Sequence, residues 1–435
     1  MKILSRCICS YITVLALGCS TDLEAASVPE SSWQPVIPSD GSELTARHEA
    51  AAVVLEDALY LIGGRGNRPI ERFSSRTGQW ENLGLAPLEL HHFQPVVIGS
   101  RIYILGAFSC CYPRERLVSD IHVFDTETTL WTTEGSLPSA RVRGSAAAVV
   151  RDGKIYLLGG NTQGHDGGAV AWFDEYDPAT GVWRQLSDAP NARDHFSAVV
   201  IDDQLIAAAG RQTKLPSPAA NPVVATDLYD FDTGVWSSAE RIPTARGGAV
   251  AVAYAQHVVV AGGEINTSSD ALDVVEALDI ASGRWQTWPA MTTGRHGSGG
   301  GVSNGRFFML SGATTIGGAD ESRGSESLEL PPIRDVAVVE EPEPEVIPEQ
   351  EPTLFPEESA EQTPEEIPVD TLEEALKVTP EPTPERVPDP AAGDSPAGEN
   401  SKRKIGSASV FLLSGLSMVT ILRRRRVVAS PALSV

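Results

Sequence analysis

The chain repeats itself six times, and that repetition limits its fold more than any other feature. An apolar run ending in a small pair recurs as LYLIGG (59–64), IYILGA (102–107), IYLLGG (155–160), LIAAAG (205–210), VVVAGG (258–263) and FFMLSG (307–312). Five of these are followed by a second signature: RFSSRTGQW (72–80), VFDTETTLW (123–131), EYDPATGVW (175–183), LYDFDTGVW (228–236) and ALDIASGRW (277–285). Trp80, Trp131, Trp183, Trp236 and Trp285 therefore stand about fifty residues apart. Short β-branched runs broken by turn residues fill each unit, and no long stretch of helical period occurs, so the repeat is all-β.

Four short strands, a glycine pair closing the second and a Trp in the fourth resemble the kelch repeat. That resemblance covers 30–331 and implies a six-bladed β-propeller. The Trp and the aromatic at 73, 124, 176 and 229 are expected to fill the wedge between neighbouring sheets. The sixth unit ends at SLEL (327–330) without a Trp, while SSWQPV (31–36) precedes the first unit without strands of its own. The N-terminal segment with Trp33 is thus expected to supply the last strand of the sixth blade and close the ring.

The flanks read differently. Residues 1–20, MKILSRCICSYITVLALGCS, carry Lys2 and Arg6, a short apolar core and then small residues, which predicts a secretory signal peptide over 1–26. Cleavage before a lipidated Cys19 and ordinary cleavage near Ala26 both fit. Residues 332–404 read as a disordered Pro/Glu-rich stalk. Between 335 and 400 they hold twenty acidic residues against two basic ones, most of the net charge of −24. IGSASVFLLSGLSMVTIL (405–422) is long enough to span a bilayer and stops at Arg423–Arg426, predicting a transmembrane helix and a cytoplasmic tail, 423–435. A processed sorting signal would look similar. The expected location is exported and membrane-anchored, with the propeller outside the cytosol. No basic stripe marks the propeller for nucleic acid, and a monomeric propeller is expected.

Aligning the units on their second small residue puts the polar residues in register. Seventeen positions upstream stand Arg47, Leu90, Arg143, Arg193, Arg246 and Arg295, at the start of the innermost strand and so at one mouth of the channel. They fit either braces of the blade junctions or a cationic rim for an anionic ligand. The next two positions read His48, His91, Gly144, Asp194, Gly247, His296 and then Glu49, His92, Ser145, His195, Gly248, Gly297. A third column, Arg65, Phe108, Asn161, Arg211, Glu264 and Ala313, opens the loops from strand two to strand three at the same mouth. Resemblance to eukaryotic kelch adaptors that bind acidic peptides singles out Arg65, Arg143, Arg193 and Arg211, although the rest of that column departs from the adaptor pattern.

Two of those loops stand out. NTQGHDGGAVAWFDEYD (161–177) holds His165, Asp166 and Trp172, where the Trp fits a sugar platform or packing between blades. FSCCYPRERLVSD (108–120) sets Cys110 beside Cys111, and a bond between them competes with two free thiols. YPRE, RGSA, WFDEYDPATG, ARDHF and TGRHG resemble exported galactose-oxidase-like kelch proteins. The copper-radical chemistry of galactose oxidase does not follow, because the sequence neighbours Cys111 and Tyr112 cannot form its cross-strand link. No metal cluster, phosphate loop or nucleophile elbow is visible in the spacing, so no metal or cofactor is expected.

The resulting expectation is a non-catalytic carbohydrate- or protein-binding module, its ligand at the channel mouth. Candidate contacts are Arg47, His48, Arg65, His92, Arg143, His165, Trp172, Arg193, His195, Arg211, Arg246, Glu264, Arg295 and His296. The alternative is a sugar enzyme resembling the bacterial sialic-acid mutarotases, with His195, Asp194 and Glu264 as acid and base beside a carboxylate-binding arginine.

Overall fold

Twenty-four strands form six four-stranded antiparallel sheets within residues 28–333, the part of the chain that the computed structural model describes. Blade 1 runs Ala50–Leu55, Ala58–Gly63, Pro69–Ser74 and Gln79–Leu85; blades 2 to 5 repeat this order in sequence. Within a blade each strand pairs with the next, and the first strand lines the channel. Blade 6 takes Gly299–Ser303, Arg306–Leu310 and Ser325–Glu329 from the end of the propeller and Gln34–Pro35 from its start. The expected closure is therefore present: Gln34 faces Ser327 and Pro35 faces Glu326. The predicted leader, most of the stalk, the membrane helix 405–422 and the tail lie outside the described residues. Among the described residues no helix is long and apolar enough to cross a membrane.

The apolar residues sort into six buried clusters, one at each junction between adjacent blades. A four-stranded sheet has two faces to cover, and stacking it against both neighbours covers them. The repeated Trp does this at the outer edge. It packs on the aromatic of the third strand, with ring centroids 5.0 Å apart for Phe73–Trp80 and 4.8 Å for Tyr176–Trp183. Its indole N–H then reaches back one blade: Trp183 donates to the Ser136 carbonyl at 3.0 Å, Trp236 to Ser187 at 2.9 Å and Trp285 to Glu240 at 2.8 Å. Trp33 does the same to Pro289 at 2.8 Å and packs 5.3 Å from Phe307. It is the sixth copy of the repeated Trp, displaced to the other end of the chain.

Candidate functional site

The five arginines at the strand-one starts are buried and ion-paired. Each meets an acid in the third strand of its own blade: Arg47 meets Glu71, Arg143 meets Asp174 at 2.9 Å, and Arg193 meets Asp227 at 2.7 Å. Arg246 meets Glu276 at 2.6 Å and Arg295 meets Glu326 at 2.8 Å. Further N–H groups donate to main-chain carbonyls, many of them in the second strand or the loop after it, as Arg193 does to Ala207 and Ala209. Burial pulls Arg47 and Arg143 down to about 10, which still leaves them charged at neutral pH. These side chains tie three strands of one blade together. The junction between blades is closed by main chain instead: Gly64 donates to Leu90, Gly160 to Arg193, Gly210 to Arg246, Gly263 to Arg295 and Gly312 to Arg47.

The acidic partners escaped the register built on the glycines, because the loop between strands two and three varies in length. Counted back from the Trp they align, nine residues upstream each time: Glu71 before Trp80, Asp174 before Trp183, Asp227 before Trp236, Glu276 before Trp285. In blade 2 that position is His122, opposite Ile104, and the brace position is Leu90. Both halves of the ion pair are replaced together. A charge left alone there would be buried without a partner, which costs several kcal/mol.

Two positions along from the brace, all six residues adopt a left-handed backbone: Glu49 (φ 56°), His92 (53°), Ser145 (56°), His195 (53°), Gly248 (67°) and Gly297 (57°). The turn lets them form a collar around the channel. His92 N–H donates to Glu49, Ser145 to His92, Gly248 to His195, Gly297 to Gly248, and Ala50 returns to Gly297. His195 N–H breaks the main-chain pattern and uses the Ser145 hydroxyl at 2.9 Å. A cavity of about 60 Å³ lies inside the collar, with room for roughly two to four waters. The third column is where its register placed it: five of the six blades pair it with the residue after the brace by an antiparallel bridge, as in Asp194–Arg211 and Gly247–Glu264.

On one side of the collar three histidines from three blades converge. His92 and His195 come from strand-one starts; His165 comes from the loop of blade 3. Ring centroids are 4.6 Å apart for His92–His195, 5.4 Å for His92–His165 and 5.3 Å for His165–His195. One ring nitrogen from each lies within 4.8 Å of the other two. The opposite edges are held. His165 Nδ1 donates to Glu115 at 2.7 Å, and Glu115 is itself held by Arg65 at 2.7 Å. His195 Nδ1 donates to Asp194 at 2.5 Å, and Asp194 accepts the Thr213 N–H at 3.0 Å. His92 Nδ1 meets His91 Nδ1 at 2.5 Å. Burial pushes His92 well below the ordinary imidazole range, lowers His195 as well, and takes His91 down to about 3. These rings are neutral at pH 7. Spacing along the chain held no metal-ligand cluster, but the fold assembles one from distant positions.

The other expected contacts are brought to the same mouth and mostly consumed there. His48 meets Glu321 at 2.8 Å, and Arg211 pairs with Glu264 under the loops. Burial alone would raise Glu264, but the Arg211 charge outweighs it and holds the carboxyl at about 2. His296 donates to the Thr315 carbonyl at 3.0 Å. Trp172 is half-buried, with Arg141 4.8 Å over its ring, so that aromatic face is taken. Cys110 and Cys111 are joined in a disulfide. Beyond it Tyr112 is 59% exposed, and the Arg114 side chain is 84% exposed while reaching Asp166 at 2.7 Å.

Ring closure, the repeated glycines and the interblade Trp define a six-bladed propeller of kelch repeats. The chain belongs to the kelch-repeat family: the KLHDC2/KLHL20/DRC7 Kelch-repeats domain matches residues 91–312. It is 28% identical over 327 residues to Kelch-like protein terF of Aspergillus terreus, covering 70% of each chain. It is 24% identical over 213 residues to Kelch-like protein 38 of Mus musculus, covering 48% of this chain and 35% of that one. With alpha-scruin of Limulus polyphemus the match is 27% over 234 residues, 50% of this chain and 25% of the other. The chain thus spans about a third or less of those last two relatives. Among solved structures it resembles that of YjhT with a TM-score of 0.57, covering 66% of this chain and 96% of that one. At 16% identity this likeness concerns the fold alone.

Proposed function

We propose that the chain is a non-catalytic recognition module that holds a protein ligand at the mouth formed by the strand-one starts and the loops between strands two and three. The supporting observation is the division of labour at that mouth. Its inner charges are paired and buried, whereas the rim carries exposed Tyr112, Arg114, Leu117 and Leu215. Apolar and aromatic anchors beside an accessible arginine suit a protein surface. A sugar site loses its platform, since the Trp172 ring is covered by Arg141. The mutarotase-like reading loses its carboxylate-binding arginine, because Arg47, Arg143, Arg193, Arg211, Arg246 and Arg295 all face acids.

The display part of the proposal rests on sequence. A leader over 1–26 exports the chain, the acidic stalk over 332–404 extends it, and the apolar segment 405–422 tethers it, presenting the propeller away from a membrane. The Cys110–Cys111 disulfide suits an oxidising compartment.

A photo-crosslinking side chain placed at Arg114, and separately at Glu127 in a turn on the opposite face, tests the ligand face. The full chain is exposed to surface proteins of the producing cells. A discrete protein adduct from position 114, absent at 127 and lost with Tyr112→Ala, is expected. Equal adducts from both positions overturn the mouth as the binding face. Binding on a glycan array that Tyr112→Ala abolishes overturns the protein reading in favour of sugar. Protease added to intact cells is expected to release the propeller; protection until lysis overturns display.

A further inference from the structure

We infer that His92, His165 and His195 form a binding site for a first-row divalent metal ion such as Zn²⁺, set beneath the loops of blades 2, 3 and 4. The inference does not depend on the ligand-face reading and rests on four features of the trio.

The first is donor chemistry. Three imidazoles with one nitrogen each within 4.8 Å of the other two are a ligand set for Zn²⁺ and its neighbours in the first transition row. The second is tautomer. His165 and His195 each donate Nδ1–H to a carboxylate, Glu115 at 2.7 Å and Asp194 at 2.5 Å, so the proton is on Nδ1 and the Nε2 lone pair is free. A carboxylate behind the ring is the arrangement that orients metal-ligating histidines and raises their basicity. The carboxylates are held in turn, Glu115 by Arg65 and Asp194 by Thr213.

The third is an unmet requirement. Nε2 of His195 is buried with no hydrogen-bond partner among the protein atoms, and Nε2 of His92, also buried, has only Glu49 Oε2 beside it at 3.2 Å. A buried polar nitrogen left without a partner is unfavourable, and a metal ion would satisfy it. The fourth is reach. The ring nitrogens lie within 4.8 Å of one another, and Zn–N bonds of about 2.0–2.1 Å need inward shifts of roughly 1 Å or less per ring.

The collar cavity adjoins two of the three rings, being lined by Glu49, His92, Ser145 and His195 among others. Glu49 Oε2 is 3.2 Å from His92 Nε2, so negative charge stands beside the ion. A bound ion would fasten together three blades that otherwise meet here through hydrogen bonds such as His165 N–H to the Pro113 carbonyl at 2.9 Å.

The test uses the full, untagged chain, stripped with a chelator and titrated with Co²⁺ and then Zn²⁺. The expected result is one Co²⁺ per chain, with the visible d–d absorption of a low-coordinate imidazole site, displaced by one Zn²⁺. His165→Ala, on a loop and not in a strand, is expected to weaken binding at least 100-fold. Glu115→Gln and Asp194→Asn, which leave all three ligands in place, are expected to weaken it about 10- to 100-fold. Zn²⁺ should raise the melting temperature of the natural chain and leave that of folded His165→Ala unchanged. No stoichiometric binding, or the same affinity in folded His165→Ala, overturns the inference.

Discussion

At the scale of single residues, the arginines at the strand-one starts hold each blade together. Arg193 is buried with four hydrogen bonds, one of them to Asp227 at 2.7 Å. Removing it strands a buried carboxylate, so Arg193→Leu should destabilise the propeller by about 3–5 kcal/mol. Blade 2 shows how the loss can be absorbed, with Leu90 and His122 at the corresponding positions. Arg193→Leu combined with Asp227→His should therefore cost less than the sum of the two single changes. A double-mutant cycle in urea should give a coupling of roughly 1–3 kcal/mol, and strict additivity would refute the brace.

Glu264 makes a second residue-scale case. Its folded carboxyl sits at about 2, below the ordinary 4.5, so the unfolded chain binds the extra proton between those values. The associated stability is complete above about pH 4.5 and is lost as pH falls toward 2. Glu264→Gln should cost about 3 kcal/mol near neutrality, an order-of-magnitude figure. That difference should shrink toward zero in acid, as followed by denaturant titration at a series of pH values.

At the scale of elements, closure of the ring depends on a strand of two residues and one indole. Trp33 is fully buried against Phe307, and Trp33→Ala should cost about 3–5 kcal/mol. Deleting the chain through Val36 would do more, since it bares the edge of Ser325–Glu329. Sedimentation should then show concentration-dependent association through that edge, and none for the natural chain. A truncated chain that remains monomeric and equally stable would show that the N-terminal strand does not close the ring.

At the scale of the whole molecule, what was legible in the sequence was whatever recurs at fixed spacing. Small-residue pairs, the second residue seventeen positions after the brace, gave the blades, the mouth and the columns that line it. The Trp at the end of each unit, missing from the sixth and present at Trp33, told of the closure. The brace acids were equally periodic, but only when counted from the Trp, because the intervening loops differ in length. The histidine trio has no linear signature. Positions 92 and 195 belong to one column and 165 to a loop, and only the curvature of the ring brings them within reach. Glu115 and Thr213, which act through His165 and through Asp194, were invisible for the same reason. The strand-one arginines, which fitted either braces or a cationic rim, are internal and paired across the blade, since a repeated charge at a crowded junction needs a partner before it can serve a ligand.

Periodicity built the scaffold, and the departures from it, on the side of blades 2 to 4, built the site. That claim is tested most directly by anomalous scattering at the zinc edge from crystals of the full chain grown with one equivalent of Zn²⁺. The account predicts a single strong peak bounded by the Nε2 atoms of His92, His165 and His195. Zinc bound only at surface positions, with no peak between those three rings, would contradict it.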